Sequence, residues 1–259
     1  MIERVVAPNP GPMTLGGTNT YLVGVGDGSG ELAAIDPGPN DPRHLSAILE
    51  TSRRLGRIST VLVTHRHLDH LPAALPLCRE TGATLVGHAD LPGVQRGVSD
   101  GEPVFGALVA LETPGHTRES LCFWDASDGS LFTGDLVAGS GTVVVDDQPA
   151  ALADYIGSLE RLRGLGPRTI YPGHGPIVHD AVNKLTEYLQ HRRARLQQVA
   201  DALALRGPLT IAELVEAIYT DVPVSLHPMA ARNVRANLEK LASDGQVAAL
   251  SGQRWQLKA

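Results

Sequence analysis

The hexapeptide His65-Arg66-His67-Leu68-Asp69-His70 constrains this chain more than any other feature. It brings three imidazoles and one carboxylate together. The segment before it, Thr60-Val61-Leu62-Val63, reads as a short buried strand, so the cluster sits on a strand-to-loop turn. Imidazole nitrogen and carboxylate oxygen are the ligands that zinc and related divalent ions take. Packing gives no reason to place four such groups side by side. His65 and His67, two apart on an extended loop, can converge on one ion, and Asp69 and His70 can face a second.

Three later apolar runs also end in a metal-capable residue beside glycine. Leu108-Val109-Ala110-Leu111 leads to Pro114-Gly115-His116, Ser130-Leu131-Phe132-Thr133 to Gly134-Asp135, and Thr169-Ile170-Tyr171 to Pro172-Gly173-His174. Glycine lets the backbone turn sharply and approach an ion closely. Singly, His116 or His174 would pass as a loop histidine. With the hexapeptide they make seven candidate ligands from four strand ends, enough for two ions if one carboxylate bridges.

Over residues 11–180 this order and spacing resembles the metallo-β-lactamase-fold hydrolase superfamily. The resemblance implies an α/β architecture, an αβ/βα sandwich of two mixed sheets between outer helices, with the site at one edge. It also implies a ligand set: His65, His67 and His116 on one ion, Asp69, His70 and His174 on the other, and Asp135 bridging.

Near residue 180 the pattern changes from short strands to helices. Lys184 to Leu205 runs without Gly or Pro until Arg206-Gly207-Pro208. Thr210 and Glu213 have the spacing of a capping box that opens a helix over Ile211–Tyr219. Pro228 is placed to open another, in which Val234, Leu238 and Leu241 share a face. Gln246–Leu250 and Gln253–Leu257 then read as a hairpin. That is the element order of a winged helix, and it divides the chain into a catalytic domain (1–182) and a winged-helix-like domain (183–259). A metal domain followed by a winged helix is similar to the β-lactamase-like protein 2 group. The segments Gly17-Thr18-Asn19-Thr20-Tyr21, Ile35-Asp36-Pro37-Gly38 and Tyr171-Pro172-Gly173-His174-Gly175 look like that group's opening strand pair, next strand end and last ligand loop. Arg66, Leu68 and the run Val143-Val144-Val145-Asp146-Asp147 are this chain's own variations.

The chemistry expected is hydrolysis by a hydroxide that bridges two divalent ions, zinc ahead of manganese or iron. Asp69 is the expected catalytic residue, binding metal and orienting the hydroxide. Asp36, at a strand end, is a candidate acceptor for a ligand histidine's other ring proton. Asn19 is a candidate pocket residue. His44, His88, His179, His191 and His227 fall outside the pattern and read as surface or structural. The group's characterised members include an endoribonuclease, so single-stranded RNA is the first expected substrate. Small thioesters, esters or lactones are the alternative, and a nucleic-acid-binding regulator with a vestigial metal site is a third. Residues 1–190 carry 13 basic against 22 acidic side chains, and residues 191–259 carry 9 against 6. This modestly basic tail, with Arg192, Arg193, Arg195, Arg232 and Arg235, is compatible with RNA guidance, although winged helices also pack or form homodimers. Two cysteines, Cys78 and Cys122, are expected to be buried reduced thiols. No secretory signal or apolar run of membrane length is present in the sequence, which points to a cytoplasmic protein without membrane contact.

Overall fold

The computed structural model describes residues 1–145, 148 and 150–258; Asp146 and Asp147 of the valine-rich run lie outside the described residues. Two sheets face each other. The first holds β1 (Ile2–Val6), β2 (Asn19–Gly24), β3 (Glu31–Ile35), β4 (Arg57–Leu62), β5 (Thr84–Gly87) and β6 (Arg96–Gly97), side by side in chain order. Its first three strands pair antiparallel and the rest parallel, with α1 (Pro42–Leu55) and α2 (Ala74–Thr81) as the crossovers from β3 to β4 and from β4 to β5. The second sheet holds β7 (Pro103–Phe105), β8 (Leu108–Glu112), β9 (Leu121–Asp125), β10 (Ser130–Gly134) and β11 (Thr169–Pro172), again in sequence order. Here α3 (Ala151–Gly164) is the crossover that makes β10 and β11 parallel.

Tyr21, Ile35, Leu62, Phe123 and Phe132 fill the space between the sheets. Ile48 of α1 and Leu77 of α2 cover the outer face of the first sheet. Tyr155 and Leu159 of α3 cover the second. A sheet buried on both faces needs apolar residues at successive positions, which is why these strands read as runs rather than alternations. The αβ/βα sandwich is the observed fold. Its loops after β3, β4, β8, β10 and β11 gather at one edge.

Helix α4 (Ala181–Arg206) is 26 residues long and serves two cores. Leu185, Tyr188 and Leu189 pack with α3, whereas Val199 and Leu203 pack in the C-terminal core. A dividing line at residue 182 therefore falls just inside this helix. Beyond it lie β12 (Leu209–Thr210), α5 (Ile211–Ile218), α6 (His227–Ser243) and the hairpin of β13 (Val247–Ala249) and β14 (Arg254–Leu257), a winged helix. Leu214, Val234, Leu238 and Leu241 are its buried centre.

Of Arg192, Arg193 and Arg195 on α4, one is turned inward and two are engaged at its surface. Arg192 is buried, Arg193 pairs with Glu160 at 2.7 Å, and the Arg195 guanidinium lies over the Tyr219 ring. Cys122 is buried but Cys78, on α2, is half-buried; both thiols are free. Burial pushes the Cys122 thiol up to about 12. Among the described residues, no helix is long and apolar enough to cross a membrane.

At the start of α5 the capping box is complete: the Thr210 side chain accepts from the Glu213 N–H, and the Glu213 carboxylate accepts from the Thr210 N–H. Thr210→Ala is expected to cost about 1 kcal/mol in denaturant unfolding of the C-terminal region, with Thr210→Ser close to wild type.

Candidate metal centre

All seven side chains singled out in the sequence meet at this edge. His65, His67, Asp69 and His70 follow β4, His116 follows β8, Asp135 follows β10, and His174 follows β11. Their donor atoms form two groups, within each of which all lie within 4.8 Å of one another: His65, His67, His116 and Asp135, and Asp69, His70 and His174.

The protons decide what these groups can do. The Nδ1 of His116 lies 2.8 Å from the Val144 carbonyl, which can only accept, so Nδ1 carries the proton and Nε2 is bare. The Nδ1 of His70 lies 2.9 Å from Asp36 Oδ2 and donates to it. The Thr64 hydroxyl donates to the same carboxylate at 2.7 Å, so it must accept from His65 Nδ1 at 2.9 Å. His174 Nδ1 faces the Gly17 carbonyl at 3.4 Å. The Nε2 atoms of four rings are thereby left to point inward, and His67 presents Nδ1.

His67 Nδ1 lies 3.0 Å from both His65 Nε2 and His116 Nε2. With the His67 proton on Nε2 all three nitrogens turn lone pairs to one point, and with it on Nδ1 His67 donates to a neighbour. A tetrahedral ion with bonds of about 2.05 Å would hold its nitrogens about 3.3 Å apart. His70 Nε2 and His174 Nε2 face each other at 3.3 Å. Asp135 stands between the groups: Oδ2 lies 3.7 Å from His116 Nε2 and 4.0 Å from His65 Nε2, while Oδ1 lies 3.4 Å and 3.3 Å from the Nε2 atoms of His70 and His174. Asp135 Oδ1 is also buried with no hydrogen-bond partner among the described residues. Converging imidazole nitrogens and a buried carboxylate oxygen without a hydrogen-bond partner among the described residues fit a pair of divalent cations.

Electrostatics agree. Burial disfavours charge on His65 and His67 and lowers both. Burial opposes the charge on His70 too, but the Asp135 and Asp36 carboxylates outweigh it and raise it well above the imidazole range. For His174, burial is likewise overcome, by the Asp135 and Asp69 carboxylates 3.3 and 3.1 Å from its Nε2, and its pKa rises to about 9. Asp135 is held well below the carboxylate range, since His70 and its neighbours overcome the cost of burial. His65 and His67 thus favour the neutral form, whereas His70 and His174 hold protons beside Asp135 that a bound cation would displace.

Asp36 is not a ligand by position. Although it stands near the donor atoms of His65 and His70, its carboxylate already receives the Thr64 N–H, the Thr64 hydroxyl and His70 Nδ1. It adopts φ +49°, a left-handed turn that aspartate tolerates better than most residues. Asn19 lies behind the site: its Nδ2 donates to the Pro172 and Gly175 carbonyls at 2.8 and 2.9 Å, strapping down the His174 loop. Tyr21 adds a third bond, from its hydroxyl to the Pro172 carbonyl. Gly173 is required by close approach, since a Cβ there would stand 2.6 Å from Asp135 Oδ1. Sequence reasoning missed Thr64 and Glu119. The buried Glu119 carboxylate accepts from the Arg66 backbone N–H and guanidinium and pins the hexapeptide. Their signal, a lone polar residue at a strand end or in a loop, is too common to single out.

Above the centre lies a cavity of about 490 Å³. Pro12, Met13 and Leu15 form one wall and Val143–Val145 another. Met229 and Arg232 of α6 reach in from the winged helix, and Arg66 lies at the metal side.

Fold and site together define an αβ/βα sandwich with His/Asp clusters suited to metal ions at one edge and a C-terminal winged helix. Residues 13–95 and 90–174 match the metallo-beta-lactamase superfamily, and residues 210–255 match the beta-lactamase associated winged helix domain. The chain belongs to the metallo-beta-lactamase superfamily, in the β-lactamase-like protein 2 group. It is 33% identical over 263 residues to a Beta-lactamase-like protein 2 homolog of Caenorhabditis elegans, covering 95% of this chain and 85% of that one. It is 37% identical over 269 residues to an atrochrysone carboxyl ACP thioesterase of Aspergillus fumigatus, covering 95% and 82%. The crystal structure of a metallo-beta-lactamase family protein from Thermus thermophilus superposes with a TM-score of 0.80 at 24% identity, covering 99% of this chain and 98% of that one. A crystal structure in a di-iron-bound form superposes with a TM-score of 0.55 at 29% identity, covering 67% and 96%.

In Asp36→Asn, an amide N–H₂ would face the donors that the carboxylate now accepts. Metal affinity, measured by competition with a chelator, is expected to fall about 10- to 100-fold. Unchanged affinity would show that Asp36 does not orient His65 and His70.

Proposed function

We propose that this chain is a dinuclear metallo-hydrolase that cleaves carboxylic thioesters or esters with an apolar acyl group. His65, His67 and His116 would hold one ion, Asp69, His70 and His174 the other, and Asp135 would bridge. Bound divalent ions lower the pKa of water and polarise a substrate oxygen. The chain's own side chains do the rest. Asp69 lines the cavity, steadied by Thr18 Oγ1 at 3.3 Å, and orients the attacking water. Met13, Leu15, Val143 and Met229 exclude bulk water and receive the acyl group.

The aliphatic lining of this cavity carries the proposal. Among its described lining residues there is no phenylalanine, tyrosine or tryptophan. Proteins that grip single-stranded nucleic acid use such rings to stack bases. The engaged arginines of α4 also weaken the case for RNA guidance, so the order of substrates suggested by the sequence is reversed. The thioesterase among the relatives, 37% identical, supports the same reading. A phosphodiester substrate stays as the second reading because two guanidiniums, Arg66 and Arg232, line the cavity.

The test is hydrolysis of an acyl thioester and of a labelled single-stranded RNA, side by side, with added zinc or manganese. Thioester cleavage is expected, falling about 10²- to 10⁴-fold in Asp69→Ala. Cleavage of RNA alone would replace this reading with the second.

A further inference from the structure

We infer that Arg192 is a positioning residue for His116, acting from α4 through the backbone of Val143 and Val144. The inference rests on reading His116 as a metal ligand. His116 keeps its Nδ1 proton by donating to the Val144 carbonyl at 2.8 Å, which leaves Nε2 bare. That carbonyl belongs to a segment without helix or strand, so its direction must be fixed from outside.

The fixing groups flank it. One residue earlier, the Val143 carbonyl accepts from Nη2 of Arg192 at 2.6 Å. One residue later, the Val145 side chain is buried in the core with Tyr155 and Tyr188. Peptide units are rigid planes, so holding both neighbours leaves the Val144 carbonyl little freedom.

Arg192 is costly where it stands. It is only 6% exposed, its guanidinium lies 4.9 Å from the Tyr155 ring centroid, and its Nε has no hydrogen-bond partner among the described residues. A buried guanidinium with an idle donor is poor packing, and an aliphatic side chain of similar volume would fill the space at lower cost. A charge-assisted bond to one backbone carbonyl accounts for its presence. About two and three turns further along α4, Val199 and Leu203 enter the winged-helix core. The docking of that domain and the orientation of His116 thus share one helix.

The test uses the full chain, stripped of metal and titrated with zinc against a competing chelator. Arg192→Met keeps the volume and removes the donor. It is expected to weaken one of two zinc ions about 10- to 100-fold and leave the other unchanged. Cobalt loading should show an altered absorption spectrum for one ion only. Arg192→Lys, which can still donate to Val143, should restore most of the loss. A folded Arg192→Met that binds both ions as wild type does, with the same cobalt spectrum, overturns the inference. If that variant fails to fold, the wild-type chain decides: zinc loading should shift the NMR signals of the Arg192 guanidinium, because coupling between two sites is reciprocal, and unshifted signals overturn the inference. A wild-type chain that takes up fewer than two ions sinks the reading of the centre itself.

Discussion

A neutral imidazole can offer one nitrogen to a metal only if its other nitrogen keeps the proton. The site edge is arranged around that requirement. The outward protons of His70 and His116 each have a defined acceptor, in the Asp36 carboxylate and the Val144 carbonyl. His65 reaches the same carboxylate through the Thr64 hydroxyl. One buried aspartate at the end of β3 therefore sets the tautomer of two rings that face opposite groups. The His65, His70 and His116 rings are held from behind, so their inward nitrogens keep their direction. Cations bound there would take the place of the protons that His70 and His174 hold beside Asp135.

The sandwich supplies the rest by geometry. Parallel strands joined through helices end on the same side, so five strand-end loops meet without any long excursion. Asn19 and Tyr21 on β2 reach across to the carbonyl of Pro172 at the end of β11, so a strand of the first sheet holds a ligand loop of the second. The two sheets could not slide relative to one another without breaking these bonds.

Much of this was legible in the sequence because metal chemistry leaves unusual residue types at fixed offsets. The hexapeptide and the three glycine-flanked turns could be read without coordinates, as could the order of the C-terminal helices and Asp36 at its strand end. What could not be read are groups whose role comes from distance in space. Glu119 lies 53 positions from the Arg66 it holds, and Arg192 lies 49 from the Val143 carbonyl. In the sequence, Arg192 is one charge in a basic run. In the structure the same residue is turned inward, because α4 is covered by α3 at that height. The contribution of Met229 and Arg232 to the cavity was equally hidden, since it depends on how the winged helix docks.

The winged helix meets the site through α6, whose Met229 and Arg232 line the cavity, and shares α4 with the catalytic domain. The central claim is that seven side chains on four loops hold two ions that share Asp135. Calorimetric titration of the metal-free chain with zinc tests it most directly. The account predicts two equivalents bound per chain, and Asp135→Ala weakening both. Binding of one equivalent or none, or an Asp135→Ala chain that holds two ions as wild type does, would contradict it.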